Sequence, residues 1–270
     1  MKKQILSALC SLALFLSPSL AMAGQEVDLA KMSKAHQEVY SATLALYWSE
    51  TAEDSPRFTC STTVIEKDSQ HTTAKGDHYT LLTAGHCVLE EDGSVRTGAK
   101  FFVAEEIAEK PELFPVSIVK AENDDKLDFA LLDLESWKQY PVIRVDYSEK
   151  SPAIETKVYT VNYSLGLVKQ VALGEVASDV MGKGAANGRC IPCEGRYMVH
   201  LFNGPGSSGA SIIDAKSNKI VGIVELGWNG ASVGTAAETM KAFQEFRNKP
   251  VVSAIPKAQS LQRVEKQRSV

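Results

Sequence analysis

The chain has 270 residues, of which 44% are hydrophobic and 23% charged, and its net charge is −4. This is ordinary globular composition, which excludes collagen, coiled coil and disorder over most of the length. The acidic balance lacks the basic footprint of a nucleic-acid binder. Past the N-terminus no apolar run reaches the roughly 18 residues of a spanning helix, so no membrane anchor is expected.

Taken in chain order, the first segment reads as an address. Lys2 and Lys3 precede an apolar run over Ile5–Phe15, and Leu20-Ala21-Met22-Ala23 supplies small residues at the −3 and −1 positions of a cut after Ala23. This is the pattern of a secretory signal peptide over residues 1–23, and it predicts export to the periplasm or the medium. Cleavage removes Cys10 and leaves Cys60, Cys87, Cys190 and Cys193. Four cysteines in an oxidising compartment imply disulfides, with three possible pairings. A redox reading of Cys190-Ile191-Pro192-Cys193 lacks a surrounding βαβ pattern. A zinc reading lacks ligands, since only His200 is nearby.

Residues 24–39 are polar and read as a short helix or a propeptide. From Tyr40 the texture changes to short apolar runs separated by turn residues. Ser41–Trp48, Thr59–Ile65, Tyr79–Ala84, Ala99–Val103, Phe114–Val119 and Phe129–Leu134 read as strands. So do Val142–Val145, Thr156–Val161, Leu167–Val176, Tyr197–Phe202, Ala210–Ile213 and Lys219–Leu226. This many short strands, with little helical periodicity between them, indicates an all-β barrel or sandwich. Ala237, Met240, Phe243 and Phe246 recur at helical spacing and predict a helix over Ala236–Arg247. Residues 249–270 turn polar and basic and read as a flexible tail.

Three short segments carry chemistry. Leu81-Leu82-Thr83-Ala84-Gly85-His86-Cys87 delivers a histidine at the end of an apolar strand. Leu127-Asp128-Phe129-Ala130-Leu131-Leu132 sets an acid at the mouth of another. Gly204-Pro205-Gly206-Ser207-Ser208-Gly209 flanks serine with glycines, allowing a tight turn with open amides. A serine hydroxyl needs a neighbouring imidazole to take its proton. A buried carboxylate fixes the tautomer of that imidazole, and backbone donors stabilise the oxyanion. Ser207 and Ser211 compete with Ser208, and Asp124, Asp125 and Asp133 compete with Asp128. His71, His78 and His200 lack matching context.

In these segments the sequence resembles the chymotrypsin (trypsin-like) serine proteases. Thr83-Ala84-Gly85-His86-Cys87 matches the histidine motif of that family, Asp128-Phe129-Ala130-Leu131-Leu132 resembles its aspartate motif, and Gly206-Ser207-Ser208-Gly209 fits its nucleophile turn. Pro205 is similar to bacterial periplasmic heat-shock proteases of the same clan. The resemblance covers residues 40–248. It implies two six-stranded antiparallel barrels with a C-terminal helix and an active site between the barrels. It makes His86 the general base, Asp128 its orienting acid and Ser208 the nucleophile, with the amides of Gly206 and Ser208 as the oxyanion hole. It also implies a Cys60–Cys87 disulfide, which leaves Cys190–Cys193 as a local pair. Phe202, Glu225 and Gly227 become the candidates for the substrate pocket.

The sequence also departs from the family. Ser207 stands where animal trypsins carry the acid that pairs with a new N-terminus, so activation by that ion pair is not expected. Phe202 is neither acidic nor small, which argues against a strong Lys or Arg preference. Glu225 stands where the family usually has serine. The favoured function is a serine endopeptidase acting on protein or peptide substrates through an acyl-enzyme, with no metal and no cofactor. A catalytically silent binding protein on the same scaffold is the alternative. An esterase is disfavoured by the order His…Asp…Ser.

Overall fold

A computed structural model describes residues 29–249, apart from 52, 75, 97, 125–126, 149, 180–195 and 228–234. The first six strands are β1 (Thr43–Ser49), β2 (Arg57–Thr73), β3 (Gly76–Thr83), β4 (Lys100–Ala104), β5 (Phe114–Asn123) and β6 (Asp128–Ser136). They close into an antiparallel barrel in the order β1-β2-β3-β6-β5-β4. In β5, Phe114, Val116 and Ile118 turn inward while Pro115, Ser117 and Val119 face out, the period-two pattern of a half-buried strand. β6 differs, being buried without a break from Asp128 to Leu132. Its second face is covered as well, because Phe129 lies 5.2 Å from the Phe243 ring and 5.8 Å from Phe246.

Six further strands follow: β7 (Lys157–Asn162), β8 (Gln170–Val176), β9 (Arg196–His200), β10 (Ser211–Asp214), β11 (Ile220–Gly227) and β12 (Thr235–Thr239). They form a second ring in the order β10-β11-β12-β9-β8-β7. The expected double-barrel architecture therefore holds in outline, but the two rings are unequal. Among the described residues the second closes at β8–β9 through two register pairs, Glu175–His200 and Val176–Val199. Val158, Val176, Tyr197, Val199, Leu201, Ile212 and Val224 fill it.

The helix expected over Ala236–Arg247 begins later. Helix α2 spans Met240–Asn248, and Ala236 and Ala237 belong to β12, paired with Met198 and Tyr197 of β9. Pairing on both sides of β12 outweighs the helical spacing of its residues. Val142–Val145 forms no strand of its own and contributes a single bridge, Val145–Ile220. Ahead of β1, helix α1 (Lys34–Ala42) is capped by Ser33, whose hydroxyl accepts the His36 amide at 3.2 Å. Val39 and Ala42 of α1 are buried, so part of the polar N-terminal segment packs into the domain. The segment expected to be a signal peptide, the expected basic tail beyond Lys249 and the expected Cys190–Cys193 pair lie outside the described residues.

The two helices cross between the rings. The α1 residue His36 packs edge-on against Tyr159 of β7 at 4.4 Å, and Tyr40 offers its carbonyl to the buried Lys169 ammonium at 2.9 Å. Phe243 and Phe246 of α2 lie on the first barrel, where Arg247 reaches Glu66.

Candidate active site

Strand β3 ends at Thr83 and turns through a 3-10 turn over Gly85–Cys87, which leaves His86 half-buried beside the first residue of β6. That residue, Asp128, is 2% exposed and uses both carboxylate oxygens on His86. Oδ1 accepts the His86 amide at 2.8 Å, and Oδ2 lies 2.7 Å from Nδ1. The ionised carboxylate can only accept, so Nδ1 carries a proton and Nε2 of the neutral ring keeps its lone pair. Burial of the ring opposes its charge. The hydrogen bond and charge of Asp128, helped by Glu225, outweigh burial and the repulsion of Arg96, and the His86 pKa rises above its ordinary value.

The serine turn is held from both sides. Ser207 is 1% exposed and spends its hydroxyl within the turn, accepting the Gly204 amide at 3.1 Å. Ser211 is buried in β10. Ser208 is half-buried, between Gly206 with φ +94° and Gly209 with φ +78°. Among the described residues the amides of Gly206 and Ser208 meet no acceptor. The Gly209 amide donates to Val224 O at 2.7 Å, which anchors the turn on β11.

Ser61 of β2, absent from the sequence expectations, clips this turn to the first barrel. Its amide donates to Ser208 O at 2.9 Å and its hydroxyl to Gly206 O at 2.8 Å. The same hydroxyl accepts the Tyr163 amide at 3.1 Å. Thr83, three residues before His86, donates its hydroxyl to Ser61 O at 2.8 Å. Neighbouring Cys60 is joined to Cys87 by the disulfide the resemblance implies. Residues 60–61 thus tie the histidine turn and the serine turn to one piece of strand. Only the cysteine gave a signal in sequence, because the part played by Ser61 is a long-range one.

Donor atoms of Cys60, His86 and Cys87 lie within 4.8 Å of one another, but both sulfurs are consumed by the disulfide, so the cluster is not a metal site as it stands. His78 and Asp133 form a second His–Asp couple at 3.1 Å across β3 and β6, one with no part in the serine turn. Asp124 accepts the Leu127 amide at 2.8 Å and stays out of the histidine couple.

The pocket candidates are placed differently from one another. Phe202 is 49% exposed. Gly227 is the last residue of β11. Glu225 is 6% exposed and forms an ion pair with Arg196, which is 1% exposed. Burial pushes the Glu225 carboxyl up, and the guanidinium of Arg196 works against that rise.

Comparisons with known proteins bear on the fold and the family. Among curated proteins none matches. Solved structures do. An HtrA-type protease AlgW bound to a decapeptide superposes with a TM-score of 0.56 at 18% identity, over 82% of this chain and 67% of its own. An AlgW variant with a tripeptide gives 0.54 at 19%, over 81% and 62%. The serine endoprotease from Yersinia pestis gives 0.52 at 17%, over 82% and 66%. The chain thus spans about two thirds of the length of these proteins or slightly less, and the likeness is one of fold. Residues 60–223 match the model of the trypsin-like peptidase domain, a stretch that contains His86, Asp128 and Ser208. That match takes in more than half of the sequence, and the chain belongs to the trypsin-like peptidase family.

Proposed function

We propose that the protein is a serine endopeptidase in which Ser208 is the nucleophile, His86 the general base and Asp128 its orienting acid. The observation that carries this reading is the two-point grip of Asp128 on His86, at 2.8 and 2.7 Å. It fixes the ring with Nε2 unprotonated, the tautomer a general base requires. Ser208 attacks the scissile carbonyl as Nε2 takes its proton. The imidazolium, facing Asp128, then returns that proton to the leaving amine, and an acyl-enzyme remains for water to hydrolyse. The open amides of Gly206 and Ser208 supply the oxyanion donors, each worth about 3–4 kcal/mol in the transition state. Of the three serines, only Ser208 combines a position beside these amides with an accessible side chain.

The peptide-bound AlgW structures support a peptide as substrate class. The signal pattern over residues 1–23 and the Cys60–Cys87 disulfide support an exported, oxidising location. The test is labelling of the purified protein with a fluorophosphonate, read by intact mass. A single adduct, lost in Ser208→Ala, is expected, followed by cleavage of a peptide library. Folded protein that takes up no label would overturn the reading in favour of a silent binding scaffold.

A further inference from the structure

One leucine beside the serine turn has a backbone that leucine rarely adopts. Leu165 is the middle residue of the turn Ser164–Gly166 between β7 and β8, at φ +61° and ψ +18°. This left-handed region is open to glycine and tolerated by asparagine, but uncommon for other side chains. Burial does not compensate it, since Leu165 is 57% exposed. Its contacts run to the serine turn. The Leu165 amide donates to Pro205 O at 2.6 Å, and its side chain covers Gly204, where an added methyl would meet Leu165 Cδ2 at 2.9 Å. The residues around it are tied down. The Tyr163 amide donates to Ser61 Oγ at 3.1 Å, and Lys169 Nζ donates to Tyr40 O at 2.9 Å. The strained residue is thus held by its surroundings, and the bond it makes is to the turn that carries Ser208.

We infer that Leu165 is a positioning residue for the oxyanion hole: its left-handed backbone aims its amide at Pro205 O and so sets the direction of the Gly206 N–H. The inference rests on the oxyanion role proposed above for that N–H. Pro205 O and the Gly206 N–H belong to one peptide unit. The unit is trans and planar, so the two groups point in opposite directions. With Pro205 O turned toward Leu165, the Gly206 N–H faces away from the Leu165 turn, and among the described residues it meets no acceptor. Half a turn of the unit would exchange the two and present a carbonyl to the developing oxyanion. Gly206, at φ +94° and without a Cβ, offers little resistance to that rotation. Ser61 fixes the next carbonyl, Gly206 O, at 2.8 Å, and does not act on the Pro205–Gly206 unit. The Leu165 bond does. It sets the donor in place before the charge develops, which is what makes such a donor effective.

The test is a series of substitutions at Leu165, read by the rate of fluorophosphonate labelling and by the residual dipolar coupling of the Gly206 N–H in isotope-labelled protein. Leu165→Val makes the left-handed backbone costlier through its branched Cβ, and Leu165→Pro forbids it and removes the amide. Leu165→Gly and Leu165→Asn keep the amide and suit the backbone. Labelling is expected to slow about 3–10-fold in Leu165→Val and about 10²–10³-fold in Leu165→Pro, the loss of one oxyanion donor, and peptide turnover should lose kcat with KM nearly constant. Leu165→Gly and Leu165→Asn should label at least about threefold faster than Leu165→Val. The Gly206 coupling should change in the two slow variants and return toward the wild-type value in the other two. Packing of the side chain on Gly204 alone predicts the reverse order, with valine ahead of glycine and asparagine. That order, or an unchanged Gly206 coupling in folded Leu165→Pro, would overturn the inference. If proline prevents folding, Leu165→Val against Leu165→Asn carries the same comparison. The coupling is independent of turnover, so a Gly206 N–H that responds across the series in a protein taking up no label would uphold the orienting bond and defeat the endopeptidase reading alone.

Discussion

Replacing Gly209 with alanine separates backbone strain from close approach at the serine turn. Gly209 has φ +78°, and Gly93, in an exposed turn of the first barrel, has φ +79°. At either position a side chain costs about 1–2 kcal/mol for the left-handed backbone alone. At Gly93 a methyl meets nothing closer than Asn123 O at 3.9 Å. At Gly209 it would lie 2.1 Å from Thr83 Oγ1, 2.6 Å from Ser61 O and 2.8 Å from Ala84 N. Thr83 is fully buried and its hydroxyl is bonded to Ser61 O at 2.8 Å, so it cannot swing clear without losing that bond. Overpacking adds about 1–3 kcal/mol, and a broken buried hydrogen bond about the same again. Gly209→Ala should therefore destabilise by roughly 2–6 kcal/mol more than Gly93→Ala, as read from urea unfolding of both variants. Fluorophosphonate labelling in folded Gly209→Ala should also slow, with Gly93→Ala unchanged. If the two variants lose stability equally, within about 0.5 kcal/mol, the close packing between the serine turn and the histidine strand is not what the alanine disturbs, and the reasoning fails.

Three further outcomes follow. Asp128→Asn should keep the fold but present the wrong His86 tautomer, slowing labelling and peptide turnover by about 10³–10⁴-fold; a loss under tenfold would remove Asp128 from its assigned role. Opening the Cys60–Cys87 bridge, whose ends are 27 residues apart, should cost about 3–4 kcal/mol by loop entropy, measured as urea stability of Cys60→Ala/Cys87→Ala against the oxidised protein. Burial pulls the Lys169 ammonium down to about 8 against the attraction of Glu106 and Glu105. The unfolded chain then binds more protons above pH 8, so wild-type stability should climb from about pH 8 toward 10.5 on account of this residue. Lys169→Met should accordingly be more stable at pH 7 by roughly 1–3 kcal/mol, with the difference closing as the pH rises, and a difference independent of pH in thermal melts would refute the assignment.

The parts legible in sequence were the local ones. His86, Asp128 and Ser208 each sit in a motif of five to seven residues whose composition dictates its own turn or strand, and the strands of the first barrel alternate or run apolar as their burial requires. The β12–α2 boundary was hidden because Ala236 and Ala237 suit a helix face and a strand centre equally, and only the pairing with β9 and β11 decides between them. Val142–Val145 looks like a strand in isolation yet joins no ladder: Ile143 donates its amide to Val64 O, Arg144 O accepts the Ile220 amide, and Val145 forms a lone bridge to Ile220. Ser61 and Arg196 act across 145 and 29 residues of sequence respectively, and nothing adjacent to either announces its partner. Glu225 was visible as an oddity, but its direction depends on a β-bulge between Val224 and Leu226 that composition does not encode.

The crossing of the two helices has a consequence for how the molecule can come apart. The helix that precedes the first barrel clasps the second through His36 and Tyr40, and the helix that ends the second clasps the first through Phe243, Phe246 and Arg247. Each half of the chain carries the fastening of the other. A cut in the connection between β6 and β7 would therefore leave two fragments that still embrace, and neither ring would shed its neighbour without first exposing the aromatic rings and the lysine that the clasp conceals. Slippage of one ring past the other, which would pull the serine turn from Ser61 and the strand that leads to His86, is opposed at both ends of the polypeptide.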